Sequence, residues 1–219
     1  MGKNRSVNNV VEFQPVRGKT PNQQRYIDSI LDCDIVLCTG YPGTGKTFIS
    51  MSLAADWYKK EKHRRIIVTR PMVSNGDDIG FLPGNETEKA IPWAHAPLDV
   101  LKGRLGMNTV ECDIKNERII VKPLQMMQGA SFDDAWVIVD EAQEITVSQA
   151  KMIVTRIGVN SKLILNGDIR QKNIDELSGL EYLVNLIKRK NLDIPIVDME
   201  IDDCVRSKLC REMIEAIYE

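Results

Sequence analysis

The sequence predicts an α/β fold in which helices cover both faces of a largely parallel β-sheet. Five short apolar runs are typical of buried strands and lie at 34–39, 65–69, 136–139, 162–165 and 195–199. Helical patterns separate these runs, and this alternation favours parallel strands joined by helical crossovers. The chain of 219 residues is long enough for one such domain with a sizeable core.

The first helix marks the start of the predicted domain. Thr20 followed by Pro21 is typical of an N-cap and the first residue of a helix, which we expect to run to about Asp32. The polar residues before it, 1–19, are predicted to form a flexible lead-in. Residues 20–219 are then predicted to form a single domain.

A long insertion is expected between the second and third strands. Residues 70–134 are too many for a simple crossover, and they contain a helical pattern at about 94–105. Two further runs, 108–113 and 118–122, flank the polar turn at 115–117. This arrangement predicts a β-hairpin inside the insertion.

Composition excludes several classes of protein. The net charge is −2, so any contact with nucleic acid must be local. Five cysteines without a CxxC pair, and only two histidines, argue against a zinc or disulfide framework. No apolar run approaches the roughly 18 residues of a membrane span, and the start MGKNRSVNN lacks a signal-peptide core. We therefore expect a cytoplasmic protein without a membrane partner.

A glycine-rich loop separates the strand at 34–39 from a helical pattern that begins at Lys46 and continues to about Lys62. The loop fits the pattern G-x-x-x-x-G-K-[ST] in full and comprises Gly40, Tyr41, Pro42, Gly43, Thr44, Gly45, Lys46 and Thr47. Its glycines let backbone N–H groups face phosphate oxygens, and the helix start adds positive potential. We expect Lys46 to reach the β- and γ-phosphates of ATP and the Thr47 hydroxyl to bind Mg²⁺. The sequence therefore predicts a P-loop NTPase.

Two adjacent carboxylates follow the strand at 136–139. Asp140 is placed to order the hydration shell of the magnesium ion, and Glu141 to orient and partly deprotonate an attacking water. The alternative is a pair of solvated acids at the start of a loop, which the P-loop upstream disfavours. We therefore predict that Asp140 is a metal ligand and that Glu141 is catalytic.

The strand at 162–165 is followed by Asn166-Gly167-Asp168. In an open parallel sheet these residues would lie at the carboxyl edge, where ligands bind. Either Gln171 or Gln143 could sense the γ-phosphate by hydrogen bonding, although an ordinary turn explains Gly167-Asp168 equally well. Phosphoryl transfer also benefits from an arginine that neutralises developing charge. Spacing alone leaves four arginines open for this role: Arg70, Arg156, Arg170 and Arg206.

Several separate blocks resemble the PhoH family of P-loop ATPases, which is related to the core of superfamily 1 helicases. From Thr20 onward these blocks are TPNQ, GYPGTGKT, VTRPMV, GFLPGN, DEAQ, TRIG, NGDIRQ and DDCVRSKL, and the stretch Gly76–Gly84 is especially typical of the family. The resemblance implies a RecA-like core in which the strand at Lys162 lies between the P-loop strand and the Asp140 strand.

The same resemblance implies roles for individual residues. Gln23 is expected near the adenine, Glu141 polarises water, and Arg206 is a candidate contact of the γ-phosphate. Arg70 is similar to a helicase position that faces nucleic acid. The partners implied are ATP, RNA or another single-stranded nucleic acid, and further copies of the chain in a hexameric ring.

Three departures from the family pattern limit what is carried over. Met127-Gln128-Gly129 stands where the family often has MRG, and residues 204–209 keep the arginine of VVRHPL but lose its histidine and proline. No acidic nuclease module is expected, and a second RecA-like lobe would have to come from a neighbouring subunit. A small-molecule kinase and a nucleotide-gated assembly switch remain alternative functions.

Overall fold

The computed structural model describes residues 14–71, 91–127, 129, 131–174 and 176–218. Part of the predicted lead-in, the segment Gly76–Gly84 with its surroundings, and Gln128 lie outside the described residues. Among the residues that are described, no helix is both long and apolar enough to cross a membrane.

The described residues form seven α-helices and six strands. The helices are α1 (Pro21–Asp32), α2 (Lys46–Lys59), α3 (His95–Leu105), α4 (Met107–Lys115), α5 (Val147–Val154), α6 (Gly179–Lys190) and α7 (Lys208–Tyr218). The strands are β1 (Ile35–Gly40), β2 (Arg65–Arg70), β3 (Ile119–Pro123), β4 (Ala135–Val139), β5 (Lys162–Asn166) and β6 (Ile196–Met199).

The six strands form one sheet with the order β3-β2-β4-β5-β1-β6. Every pair of neighbours is parallel. β5 lies between the P-loop strand β1 and the strand β4 that precedes Asp140, as the family resemblance implies. The predicted α/β fold with a parallel sheet is therefore confirmed.

Both faces of the sheet are buried, because alternate side chains of each strand enter two separate apolar clusters. On β4, Trp136 and Ile138 belong to the cluster that contains α1, α2 and α3 side chains. Val137 and Val139 point to the opposite face and pack with α5 and α6. Continuous apolar strands of this kind are expected when helices cover both faces, which is what the sequence predicted.

The start of α1 is capped as its sequence predicts. The Thr20 hydroxyl accepts a hydrogen bond from the backbone N–H of Gln23 at 3.2 Å, and Pro21 occupies the first turn. Proline costs nothing at this position, since its missing N–H would have no partner inside the helix. The helix ends at Asp32, where the prediction placed its end.

The predicted β-hairpin inside the insertion is wrong. The run at 108–113 lies in the helix α4, whereas the run at 118–122 forms β3, a parallel edge strand beside β2. Val110 and Asp113 are buried three residues apart, so the segment shows one face of a helix and not the alternation of a strand. Burial of the Asp113 carboxylate is tolerated because it pairs with Arg118 and accepts a hydrogen bond from the Tyr58 hydroxyl at 2.7 Å.

Helix α3 holds the other described part of the insertion against the sheet. It packs on α2, and its Leu101 is fully buried in the same cluster as Trp136. We expect Leu101→Ala to lower the free energy of unfolding by about 2–5 kcal/mol, through lost burial and the cavity left behind. Urea unfolding followed by circular dichroism measures this loss.

The matched control is Met107→Ala, because Met107 is 59% exposed. This variant is expected to stay within about 0.5 kcal/mol of the wild type. Equal losses in the two variants would contradict the packing described for α3.

Candidate nucleotide site

The candidate site lies where the parallel strands end. An open pocket of about 510 Å³ is lined by the P-loop, by both carboxylates that follow β4 and by the turn that follows β5. Arg206 closes one side of the pocket, and Phe48, Ala96 and Val100 contribute its apolar wall. Ligand sites are expected at this edge of an open parallel sheet.

Glycines allow the P-loop to pass close to the C-terminal segment. Gly40 has a φ of +115°, and a Cβ there would collide with the backbone of Met199. At Gly43, with a φ of +74°, a Cβ would lie 2.7 Å from the Arg206 Cγ atom and 3.3 Å from the Cys204 Sγ atom. The loop therefore needs glycine at both positions.

The amino group of Lys46 is held inside the P-loop. Its Nζ atom donates hydrogen bonds to the carbonyl oxygens of Gly40 and Tyr41, at 2.6 and 2.7 Å. Burial lowers the pKa of Lys46, while nearby acidic groups that include Asp168 oppose this effect. A half-buried cation that lines the pocket at the start of α2 suits the binding of phosphate groups.

Thr47 and Asp140 join the P-loop to the strand β4. The Thr47 hydroxyl donates a hydrogen bond to the Asp140 Oδ1 atom at 2.7 Å. Asp140 is only 6% exposed, and burial, reinforced by the neighbouring charge of Glu141, raises its pKa to about 6. These oxygens and this excess of negative charge fit Mg²⁺, which takes one or two protein oxygens and completes its shell with phosphates and water.

The Glu141 carboxylate is held from two sides. Its Oε2 atom accepts a hydrogen bond from the Gln143 Nε2 atom at 2.7 Å, and its Oε1 atom lies 3.6 Å from the Arg70 Nη2 atom. The backbone of Glu141 is left-handed, with a φ of +53°. Such a conformation is uncommon for a residue other than glycine, and here it occurs at the sharp turn between β4 and the segment that carries Gln143.

The turn after β5 contributes a second polar group to the pocket. Asp168 is buried, which raises its pKa, and it accepts a hydrogen bond from the Gln171 Nε2 atom at 2.9 Å. Of the two glutamines left open by the sequence, Gln171 lines the pocket. Gln143 is 3% exposed and lies behind it, against the backbone N–H of Asp168.

The four candidate arginines lie in different places. Arg206 lines the pocket, and Arg70 contacts Glu141 from the end of β2. Arg170 lies 4.2 Å from the ring centre of Tyr41 and 3.7 Å from Asp168. Arg156 lies at the opposite edge of the sheet, where its carbonyl accepts a hydrogen bond from Phe132 ahead of β4.

Gln23 supports the P-loop from behind. Its Nε2 atom donates hydrogen bonds to the carbonyl oxygens of Thr44 and Asp203, at 2.9 and 3.3 Å. Its Oε1 atom accepts a hydrogen bond from the backbone of Lys19 at 2.8 Å. With 4% of its surface exposed, Gln23 acts here as a brace, and its contact with adenine stays a prediction.

Sequence reasoning did not assign a role to Asp203 or to Phe48. Asp203 is 2% exposed and fixes the start of α1 by accepting a hydrogen bond from the Asn22 side chain at 2.8 Å. The sequence feature that could have identified Asp203 is its place in the block DDCVRSKL, which also contains Arg206. Phe48 follows Thr47 directly and is 54% exposed at the pocket, an exposure that the apolar pattern of α2 does not reveal.

The parallel sheet and the loop at its carboxyl edge define a P-loop NTPase fold. The sequence model of the family described as PhoH-like protein matches residues 15–219, and this chain belongs to that family. Protein PhoH of Escherichia coli strain K12 is 36% identical over 209 residues, which are 94% of this chain and 59% of the relative. The PhoH-like protein of Bacillus subtilis strain 168 is 37% identical over 204 residues, or 92% of this chain and 63% of the relative. The chain thus spans about three fifths of these relatives.

Solved structures share the fold at low sequence identity. The large terminase of bacteriophage HK97 matches 95% of this chain and 48% of its own, with a TM-score of 0.59 and 11% identity. The large terminase of a thermophilic bacteriophage matches 94% of this chain and 51% of its own, with a TM-score of 0.56 and 13% identity. These similarities support the fold alone.

The raised pKa of Asp140 has a consequence for stability in the absence of nucleotide and metal. Its value of about 6 in the folded protein exceeds the usual 3.8, so the native state binds the proton more tightly than the unfolded chain. The contribution of Asp140 to stability is therefore highest at acidic pH and decreases as the pH rises from about 4 to about 6. We expect Asp140→Asn to gain stability over the wild type across that window, reaching on the order of 1–3 kcal/mol above pH 6.

Urea unfolding between pH 4.5 and pH 8, in the presence of EDTA, tests this expectation. Asp193→Asn is the matched control, because Asp193 is an exposed carboxylate away from the site. A difference between Asp140→Asn and the wild type that does not change with pH would contradict the electrostatic cost assigned to Asp140.

Proposed function

We propose that this chain binds Mg-ATP and hydrolyses it to ADP and phosphate. One observation carries the proposal: the Thr47 hydroxyl lies 2.7 Å from Asp140 in a pocket that Glu141 also lines. A phosphate-binding loop, a candidate magnesium ligand and a candidate base thereby meet in one place. This combination suits phosphoryl transfer to water.

In this proposal each residue of the pocket has a separate task. Lys46 neutralises phosphate charge, while Thr47 and Asp140 hold Mg²⁺, which supplies charge neutralisation on the phosphates when it is bound. Glu141 orients the attacking water and accepts its proton. Gln171 and Arg206 line the same pocket and are assigned to the γ-phosphate.

Hydrolysis is favoured over transfer to a small metabolite. Glu141 is 38% exposed and faces a pocket that is open to solvent, so water reaches it without a lid among the described residues. A kinase must exclude water to protect the transferred group. The appearance of labelled phosphate on a small acceptor, and not as free phosphate, would favour the kinase.

The nucleic-acid partner is proposed from the position of Arg70. This arginine is 39% exposed at the carboxyl end of β2, and its Nη2 atom is 3.6 Å from Glu141. An ion pair between two such exposed groups is worth little, about 0–1 kcal/mol, so a nucleic-acid phosphate can compete for the arginine. RNA bound at Arg70 would then act directly on the candidate base.

The assembly and the location of the protein complete the proposal. Two-lobed motors close a second lobe on nucleic acid, and the described residues form one P-loop domain. We propose that further copies of the chain supply the second lobe in a hexameric ring in the cytoplasm. Light scattering gives the particle mass that tests the ring.

Two variants of the pocket test the proposed division of roles. Lys46→Ala is expected to weaken ATP binding by at least about tenfold, because it removes a cation that pairs with phosphate. Glu141→Gln is expected to keep ATP affinity within about threefold and to lower kcat by roughly 10²–10⁴-fold, the usual value of a general base. Isothermal titration gives the affinities, and steady-state release of phosphate gives kcat.

The result that would contradict this division is equal loss of ATP binding in both variants. Phosphate release that survives in Glu141→Gln would remove the glutamate from the chemistry. An assembly switch, the remaining alternative, would bind ATP tightly and would show the same slow turnover with and without RNA.

The role proposed for Arg70 is tested with single-stranded RNA. We expect Arg70→Ala to lower the ratio of hydrolysis with RNA to hydrolysis without RNA towards one, because the phosphate contact beside Glu141 is lost. Arg64→Ala is the matched control, since Arg64 is an exposed arginine directly before the opposite end of the same strand. An unchanged ratio in Arg70→Ala would separate Arg70 from the nucleic-acid response.

A further inference from the structure

Gln143 connects the two loops that carry the polar groups of the site. Its Nε2 atom donates a hydrogen bond to the Glu141 Oε2 atom at 2.7 Å. Its Oε1 atom accepts a hydrogen bond from the backbone N–H of Asp168 at 3.0 Å. A single side chain thus spans from the turn after β4 to the turn after β5.

The amide of Gln143 has no freedom to serve as a direct ligand of nucleotide. Both of its polar ends are engaged by protein groups, and only 3% of its surface is exposed. It is absent from the described residues that line the pocket, whereas Gln171 is present among them. Its hydrogen bonds therefore act on Glu141 and not on phosphate.

Gly167 leaves room for this contact. A Cβ at that position would lie 2.8 Å from the Gln143 Oε1 atom and 2.9 Å from the backbone nitrogen of Gln143. Since the φ of Gly167 does not require glycine, close approach is the reason that a side chain does not fit. The turn after β5 is thus packed against Gln143 and against Leu180, whose Cδ2 atom would lie 2.6 Å from the same Cβ.

Among the described residues, Arg70 and Gln143 contact the Glu141 carboxylate and differ in how firmly they hold it. Arg70 is 39% exposed and 3.6 Å away, so its contact is weak and exchangeable. Gln143 is buried and anchored at its other end, so its hydrogen bond fixes one oxygen of the carboxylate. The other oxygen has only the long contact with Arg70, and the Glu141 side chain is 38% exposed where it lines the pocket, which suits a base for water.

We infer that Gln143 is a positioning residue that aligns the Glu141 carboxylate with the attacking water and couples that alignment to the loop carrying Asp168 and Gln171. This inference rests on the proposed hydrolysis of ATP, in which Glu141 is the base. Misplacement of a reacting group by about 1 Å costs on the order of 10²-fold in rate. Gln143 is therefore expected to affect kcat with little effect on nucleotide binding.

Two substitutions separate the two hydrogen bonds. Gln143→Glu keeps an oxygen that accepts from the Asp168 N–H but places a second carboxylate oxygen against Glu141. Gln143→Met keeps the length of the side chain and removes both hydrogen bonds. Gln125→Glu is the matched control, because it adds the same charge at an exposed glutamine after β3.

The measurement is steady-state phosphate release at saturating ATP, together with ATP affinity by titration and thermal unfolding of each variant. We expect kcat to fall by about 10- to 100-fold in Gln143→Glu and Gln143→Met, with KM and ATP affinity within about threefold of the wild type. Gln125→Glu is expected to match the wild type. In the Glu141→Gln background, Gln143→Met is expected to give no further loss, since there is no carboxylate left to align.

The outcomes distinguish failure of the positioning role of Gln143 from failure of the proposed ATP hydrolysis. Wild-type kcat in a folded Gln143→Met variant, or a full further loss in the Glu141→Gln background, would overturn the positioning role and leave ATP hydrolysis standing. A parallel rise in KM would assign Gln143 to binding instead, which also overturns the inference. Absence of hydrolysis by the wild type would overturn the proposed function and this role with it.

Discussion

Parallel pairing of β1, β5 and β4 is the constraint on which the rest of the structure depends. In a parallel sheet neighbouring strands run in one direction, so residues that follow their last ladder positions emerge at one edge. Here the P-loop, the Asp140-Glu141 pair and the Asp168 turn emerge side by side, although the hydrogen-bonded Thr47 and Asp140 are 93 residues apart in the chain. The distance between those groups is set by strand spacing and not by the loops themselves.

A buried network of hydrogen bonds then fixes the positions of these groups relative to the helices α1 and α2. The Tyr26 hydroxyl donates to the Asn166 side chain at 2.5 Å, and Asn166 donates to the Ser50 hydroxyl at 2.9 Å. This path links α1 to the end of β5 and to the first turns of α2. Gln23 and Asp203 make a second path beneath the P-loop. Because interior polar groups are costly when they lose partners, such networks favour one arrangement of the edge.

The sequence predicts the elements whose signals are local, and it fails where a role depends on contacts across the fold. Gly40–Thr47 and Asp140 follow apolar strands directly, so their place at the edge was predictable. The helical conformation of residues 108–113 was not predictable. Val110 is flanked by polar residues, and the run is too short for its pattern to distinguish a helix from a strand. The role of Gln143 was ambiguous for a different reason: its partner at Asp168 becomes visible only when β4 and β5 are adjacent.

The burial of Asp140 beside Glu141 carries an electrostatic cost in the folded protein. The fold brings two carboxylates together and dehydrates one of them before any cation arrives. Ligands that bind only the native state stabilise it by about 2.7 kcal/mol at a concentration roughly one hundred times their Kd. Nucleotide with its metal, as proposed here, would offset this electrostatic cost as well as add the mass-action gain. If nucleotide binds as proposed, proteolysis of the transiently opened form would slow as the nucleotide concentration rises.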